Sequence, residues 1–346
     1  MELTEIRCPA CDSTNKRNHM TYEVKCDEPR MLYQCNQCNK YYAETKGTPI
    51  ERLRTPISEI SRVLNALNEG TGINAATRLF GYAKNTIYLW IERFSGLKET
   101  LMLYALCHQF LQLQIEGDEI YTKVGKNKPP MESEGWTIIL MDRASRFIWE
   151  MKCGKKTESL FLQAMNTLAQ VISQTDELSL FTDGERRYGN LLFAICRETF
   201  HTGERGRPPF VLPQGVTIRI KNKGDQSHQL GPKRPKYQAP WREHPHTNTE
   251  IDDSEIHANH LEAFNSSLRR HLSCYRRGVP SGSNMYAKIT SALQSRLDLH
   301  WLWHNFVNPH FSLRTTPAVS LGILSDSLSW QQLSRIQSVA TQPTTR

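Results

Sequence analysis

Three acids stand in surroundings suited to metal-assisted chemistry. Asp118 lies in the run Leu113-Gln114-Ile115-Glu116-Gly117-Asp118-Glu119-Ile120-Tyr121, which reads as a strand with a buried centre. Asp183 closes the apolar run Leu178-Ser179-Leu180-Phe181-Thr182 and precedes Gly184, which puts it at the carboxyl end of a strand, where α/β sheets place their ligands. Glu262 falls in a stretch where Leu261, Phe264, Leu268, Leu272 and Tyr275 recur at helical spacing. Glu262, Asn265 and Arg269 then share the adjoining polar face. Three converging carboxylates can hold two Mg²⁺ (or Mn²⁺) ions about 3.5–4 Å apart, activating an attacking oxygen and stabilising a leaving one in phosphodiester chemistry. Magnesium takes hard oxygen ligands and keeps several waters, so a few carboxylates suffice. Arg269, with Asn265 on the same face, is expected to contact a DNA phosphate beside the metals. Rival acids are Glu116, Glu119, Asp142, Glu185, Asp252 and Asp253; Asp142 suits a hairpin turn, and Asp252 with Glu255 suits a capping box.

A second chemistry belongs to cysteine. Of nine cysteines, Cys8, Cys11, Cys35 and Cys38 form two Cys-x-x-Cys pairs, whereas Cys107, Cys153, Cys196 and Cys274 are scattered singly. Four soft thiolates are what a closed, structural Zn²⁺ site requires, and they leave no open position for catalysis. Tyr33-Gln34-Cys35-Asn36-Gln37-Cys38-Asn39-Lys40-Tyr41 resembles the second knuckle of a zinc ribbon. Cys26 is an alternative ligand, although as a lone cysteine it reads better as a plain thiol.

These residues need elements to position them. Between Pro56 and Phe94 the apolar residues mark three helices, at 57–69 (Ile57, Ile60, Val63, Leu64, Leu67), 73–80 (Ile73, Ala76, Leu79, Phe80) and 84–94 (Ile87, Trp90, Ile91, Phe94). With a glycine turn before the last, they match a helix-turn-helix, which leaves Lys84, Asn85, Thr86, Tyr88 and Arg93 outward to reach base edges or phosphates. A helical connector is expected over 97–112, then strands at 113–124, 136–142 and 146–152, a helix at about 157–173, a strand ending at Phe181 and a helix at about 187–198. That order suggests a mixed α/β sheet. Long helices are expected from about 253 to 275 and from about 284 to 306.

Charge is unevenly spread. The chain has 346 residues and a formal charge of +8. From His201 to His246 nine Lys and Arg face three acids, a net +6 in a proline-rich stretch without periodicity. Such a segment implies an anionic partner, and Gly206-Arg207-Pro208 within it suits a minor-groove hook less well than a solvated basic loop. Hydrophobic content of 38% fits a globular protein, and no apolar run approaches the roughly 18–20 residues of a membrane span, so no membrane partner is expected. Met-Glu-Leu-Thr-Glu at the start has no signal-peptide pattern, and a reducing cytoplasm is the expected setting.

The sequence of parts resembles a DDE transposase of a bacterial insertion sequence, similar to the IS-one-like family and its longer relatives. Gly117-Asp118-Glu119, Phe181-Thr182-Asp183-Gly184, and His260-Leu261-Glu262-Ala263-Phe264-Asn265 through Leu268-Arg269-Arg270 carry the resemblance, with Trp303-His304-Asn305-Phe306 to Leu313-Arg314-Thr315-Thr316-Pro317-Ala318 resembling the close of integrase-type domains. It implies a multidomain chain: a zinc ribbon at 1–48, an all-α helix-turn-helix at 54–96, and an α/β ribonuclease-H-like core at 110–200 and 251–324. A basic insertion would fill 201–250, before the last catalytic helix, and a loose tail 325–346. In that core Asp118 would lie on the first of three antiparallel strands, Asp183 just after the fourth strand, and Glu262 on the following helix. The implied activity is Mg²⁺-dependent hydrolysis at transposon ends and joining of the 3′-hydroxyls to target double-stranded DNA, by a nucleoid-associated homodimer or larger assembly. A non-catalytic DNA-binding regulator and a host ribonuclease-H-like nuclease or resolvase are the competing readings.

Overall fold

The computed structural model describes residues 3, 5–23, 29–125, 128–182, 184–201, 203, 206–220, 257–276 and 287–339. The chain divides into two compact units, one of Met1–Ala105, Arg270–Arg276 and Gln294–Arg346, the other of Leu106–Arg269 and Arg277–Leu293.

The first unit opens with an antiparallel sheet of β1 (Lys16–Glu23), β2 (Pro29–Cys35) and β3 (Tyr41–Ala43). Next come α1 (Ile57–Asn68), α2 (Ile73–Phe80), α3 (Lys84–Ser95) and α4 (Leu97–Ala105). The stripes of α1 and α3 are buried as their spacing dictates: Ile57, Ile60, Val63, Leu64 and Leu67 on one, Ile87, Trp90, Ile91 and Phe94 on the other. On α2 only Ala76 of the spaced apolar residues is buried, and Leu79 stands 70% exposed. Gly81 ends α2 at φ +76°, a left-handed turn where a side chain would be strained. The expected connector stops at Ala105, because the next strand begins at Phe110 rather than 113.

The second unit is mixed α/β. Its central strand β4 (Phe110–Tyr121) pairs antiparallel with β5 (Trp136–Asp142), which pairs antiparallel with β6 (Ile148–Gly154). On its other side β4 runs parallel to β7 (Thr175–Thr182). α5 (Glu158–Ile172) crosses from β6 to β7 and buries Leu160, Phe161, Ala164, Met165, Leu168 and Val171; α6 (Arg186–Cys196) packs beside it. After the short pair β8 (Glu198–Thr199) and β9 (Phe210–Val211) comes β10 (Val216–Ile220), parallel to β7, giving the order β10-β7-β4-β5-β6. This corrects the expectation of an insertion over 201–250. Val216–Ile220 is a fully buried sheet strand, and residues 221–250 lie outside those described.

The helix expected from 253 also differs. His257 and Ala258 are not helical, and α7 runs Asn259–His271 before Leu272 turns extended and a short turn follows at Ser273–Tyr275. Asp252, Asp253 and Glu255, including the expected capping box, lie outside the described residues. The helix expected from 284 appears as α8 (Thr290–Leu302), continued by a wider turn at Trp303–Val307, with α9 (Pro317–Ser320) and α10 (Trp330–Leu333) after it.

From Gln294 the chain groups with the N-terminal modules, not with the α/β sheet as the expected 251–324 boundary had it. The tail is not loose over 325–339. Trp330 is buried, donates from Nε1 to Asn65 Oδ1 at 2.7 Å and meets Phe94 edge-on, and Gln337 Nε2 donates to the carbonyls of Arg7 (3.1 Å) and Lys46 (2.9 Å). Residues 340–346 lie outside those described. Among the described residues no helix is long and apolar enough to cross a membrane.

Candidate functional site

The four cysteines are built by two matching turns. In each, the fourth residue after the first cysteine donates its N–H back to that cysteine's carbonyl: Asp12 to Cys8 at 2.9 Å and Asn39 to Cys35 at 3.0 Å. Asp12 (φ 58°) and Asn39 (φ 59°) take the left-handed backbone that short polar side chains tolerate best. The turns bring Cys8 Sγ to 3.6 Å from Cys38 Sγ and Cys11 Sγ to 3.5 Å from Cys35 Sγ, with all four sulfurs within 4.8 Å of one another. Tyr42 packs against Cys8 and Cys35. The backbone N–H of Cys38 holds the Cys35 thiol down to about 6 against the desolvation of its surroundings. Four converging sulfurs, one already inclined to be thiolate, could hold a metal ion such as Zn²⁺.

The carboxylate region centres on β4. Alternation along a strand sends Glu116 and Asp118 to one face and Gly117 and Glu119 to the other. On the second face Tyr188 of α6 lies against Gly117, where a Cβ would sit 3.3–3.5 Å from Leu140, Thr182 and Tyr188, so glycine permits the close approach. Burial, then the charges of Glu119 and Asp118, push the Tyr188 hydroxyl well above its ordinary range.

On the first face β4 meets α7. Glu116 is 0% exposed; its Oε1 accepts from Arg143 Nε at 2.9 Å and its Oε2 from the backbone N–H of Leu261 at 2.8 Å. Burial pushes its carboxyl up, opposed by that N–H and by Arg143. Arg143 also donates from Nη2 to the His257 carbonyl at 2.6 Å and lies 4.1 Å over the Phe181 ring. Two residues on, half-buried Asp118 accepts from Asn265 Nδ2 at 2.8 Å. Asn265 is 4% exposed, and among the described residues its Oδ1 has no hydrogen-bond partner. Half-buried Glu262 stands one turn before Asn265 on the same side of α7.

The expected site residues therefore divide. Asp118 and Asn265 touch; Asn265, read as a phosphate contact, is committed to the acid. Glu262 and Arg269 lie on α7, both half-buried. Asp183 lies outside the described residues, directly after the end of β7 at Thr182. The rivals Glu116, Glu119, Asp142 and Glu185 are each held by other work: Glu119 pairs with Lys156 (2.9 Å), Asp142 takes the Ser145 N–H (2.8 Å) and hydroxyl (2.6 Å) in its turn, and Glu185 caps α6 through Arg187 N (3.2 Å). Arg143, the link between Glu116 and α7, was missed by sequence reasoning. It follows Asp142 in a turn, and nothing local marks its long-range partners.

On α3, Lys84, Asn85 and Tyr88 are exposed and Thr86 is half-buried. Arg93, expected outward, instead donates from Nη1 to the Glu51 carbonyl at 2.6 Å, which ties α3 to the segment after the cysteine module.

No model of a known protein family matches this chain, and no curated protein matches it significantly.

Proposed function

We propose that the protein is a DDE transposase that binds the double-stranded ends of an insertion sequence, hydrolyses phosphodiester bonds there and joins the 3′-hydroxyl ends to target DNA. The observation that carries this reading is the 2.8 Å bond from Asn265 to Asp118, which sets the first acid against the helix that bears Glu262. The sheet supports it: three antiparallel strands open the unit, a fourth parallel to the first ends one residue before Asp183, and Glu262 lies on the helix after β10. This is the order a ribonuclease-H-like core has in the family the sequence resembles.

Asp118 and Glu262, with Asp183, would hold the Mg²⁺ or Mn²⁺ ions. The donor set fits a hard cation, since the amide oxygen of buried Asn265, which has no hydrogen-bond partner among the described residues, adds a neutral oxygen beside the Asp118 carboxylate. When bound, the ions supply an activated oxygen nucleophile and charge stabilisation at the phosphorus. The chain's own contribution is orientation: Asn265 donates to Asp118 Oδ2 and so holds that carboxylate against α7. Lys84, Asn85, Thr86 and Tyr88 of α3 would read DNA, and Arg269 of α7 would meet a phosphate. The cysteine quartet would hold Zn²⁺ and act in folding. Synapsis of two ends calls for a homodimer or larger assembly, working in the cytoplasm on nucleoid DNA.

The test uses labelled duplexes from the DNA flanking the gene, in Mg²⁺ or Mn²⁺. Wild type should cut at the ends and join them to target, and Glu262→Gln should bind equally and not cut. Equal binding without cutting by either protein in either metal would move the reading to a DNA-binding regulator.

A further inference from the structure

We infer that Glu116 is a positioning residue for the site, the anchor that sets where α7 lies along β4 and so where Glu262 stands. The inference rests on the reading of Asp118 and Glu262 as the metal-holding acids.

Leu261 is the third residue of α7, and its N–H is among those a helix start leaves without an intrahelical acceptor. Ala258, just before the helix, has no side chain with which to cap it. The acceptor comes instead from a strand 145 positions away, as a carboxylate, the charge favoured at a helix N-terminus. Glu116 cannot serve as a metal ligand in this arrangement, being fully buried with both oxygens engaged.

The spacing of the contacts gives the anchor its meaning. The His257 carbonyl is held by Arg143, the Leu261 N–H by Glu116 and the Asn265 side chain by Asp118. Those three positions fall four apart. Four residues of helix advance about 6 Å. The two strand residues that receive the second and third contacts, Glu116 and Asp118, are separated by about 6.7 Å along β4. The helix and strand repeats therefore match over this interval, and one register of α7 satisfies both contacts together. Side-chain length follows the partner: the longer glutamate reaches a backbone N–H, while the shorter aspartate is met by an amide that extends toward it. Arg143, laid on Phe181, holds Glu116 from one side and the segment leading into α7 from the other. Without Glu116 the Leu261 N–H loses its acceptor, Arg143 loses the carboxylate that holds it, and the first turn carrying Glu262 is left to the His257 and Asn265 contacts.

The experiment compares wild type, Glu116→Gln and the paired Glu116→Leu/Arg143→Met in the full chain. The paired variant removes both buried charges together, and apolar replacement of a buried ion pair commonly preserves folding. Hydrogen exchange by mass spectrometry over residues 257–266, and Mn²⁺ titration of end cleavage, are the two readouts. The paired variant should speed exchange in the first turn of α7 about fivefold, as for a lost helix cap, and Glu116→Gln, whose amide oxygen can still accept the Leu261 N–H, should speed it less, with α5 unchanged in both. Both should raise the Mn²⁺ concentration for half-maximal cleavage about 10- to 100-fold, with end-DNA binding unaltered. The decisive case is the paired variant with wild-type melting temperature and a raised metal requirement, since a purely structural role would be repaired along with the melting. Wild-type exchange at the first turn, or wild-type metal dependence in the paired variant, overturns the inference. Should wild type fail to cut in any metal, the reading of the acids falls, while the exchange data still decide the anchor.

Discussion

The cysteine quartet and the carboxylate site assemble their ligands over very different lengths of chain. Cys8 and Cys38 are 30 positions apart, and each pair is shaped by its own turn, closed by its own backbone hydrogen bond and a left-handed Asp or Asn. Asp118 and Asn265 are 147 positions apart, and nothing near either residue determines that they meet. Their meeting depends on the five-stranded sheet, on Arg143 in a turn and on Glu116 of β4, which accepts from the first turn of α7. A locally built site is tied to the folding of its module, whereas a site assembled at long range can lose its geometry while the fold persists. The two should therefore respond to perturbation in different currencies, stability for the first and activity for the second.

The largest effect should come at the cysteines. Cys35→Ser, or chelation of the wild type, should release zinc and unfold β1–β3, because binding energy on the order of 10 kcal/mol is folding energy in such modules. Metal analysis and the melting profile read this out, and an unchanged profile after zinc loss would end the claim that this site is structural. The C-terminal segment shows that the same unit also uses long-range ties. Trp330→Ala should destabilise it by about 3–5 kcal/mol, through the lost packing on Phe94 and the lost bond to Asn65. A shift near zero in denaturant midpoint would restore the loose-tail reading.

At the carboxylates the currency changes. Asn265→Asp puts a second carboxylate against Asp118 and should lower end cleavage about 10- to 100-fold while leaving the melting temperature close to wild type. A large stability loss with cleavage per folded molecule intact would break the contrast. The smallest effect is one of pH. His300 is fully buried and faces His304, His271 and Arg296; burial first, then those charges, holds it well below its ordinary range. A depressed folded pKa means that its contribution is complete above about pH 6.5, the unfolded value, and is lost as pH falls below that. Between pH 7 and 5 the wild-type melting temperature should fall more steeply than that of His300→Gln, and parallel slopes would assign the acid sensitivity elsewhere.

The same difference in length scale governs what could be read from the residues alone. The Cys-x-x-Cys pairs and the buried stripes of α1 and α3 are local periodicities, and the structure has them where the spacing put them. β10 escaped although Val216-Thr217-Ile218-Arg219-Ile220 alternates apolar and polar residues, because it is only five residues long, follows several prolines in a strongly basic stretch, and places Arg219, 3% exposed, where a charged residue argues against burial. The tail escaped because its Ser, Thr and Gln content masks three buried anchors, Trp330, Leu333 and Ile336. Glu116 and Asp118 share a face and a charge, and only the partners brought by α7 and Arg143 distinguish the sealed carboxylate from the half-open one.

The most direct measurement locates the metal itself. Fe²⁺ is substituted for Mg²⁺ in the full chain bound to an end duplex, peroxide is added, and the sites of backbone cleavage are mapped. The account predicts cuts in β4 around Asp118 and in α7 around Glu262, abolished by Asp118→Asn with zinc content unchanged. Cuts that persist in Asp118→Asn, or a wild type with none in β4 and α7, would contradict it.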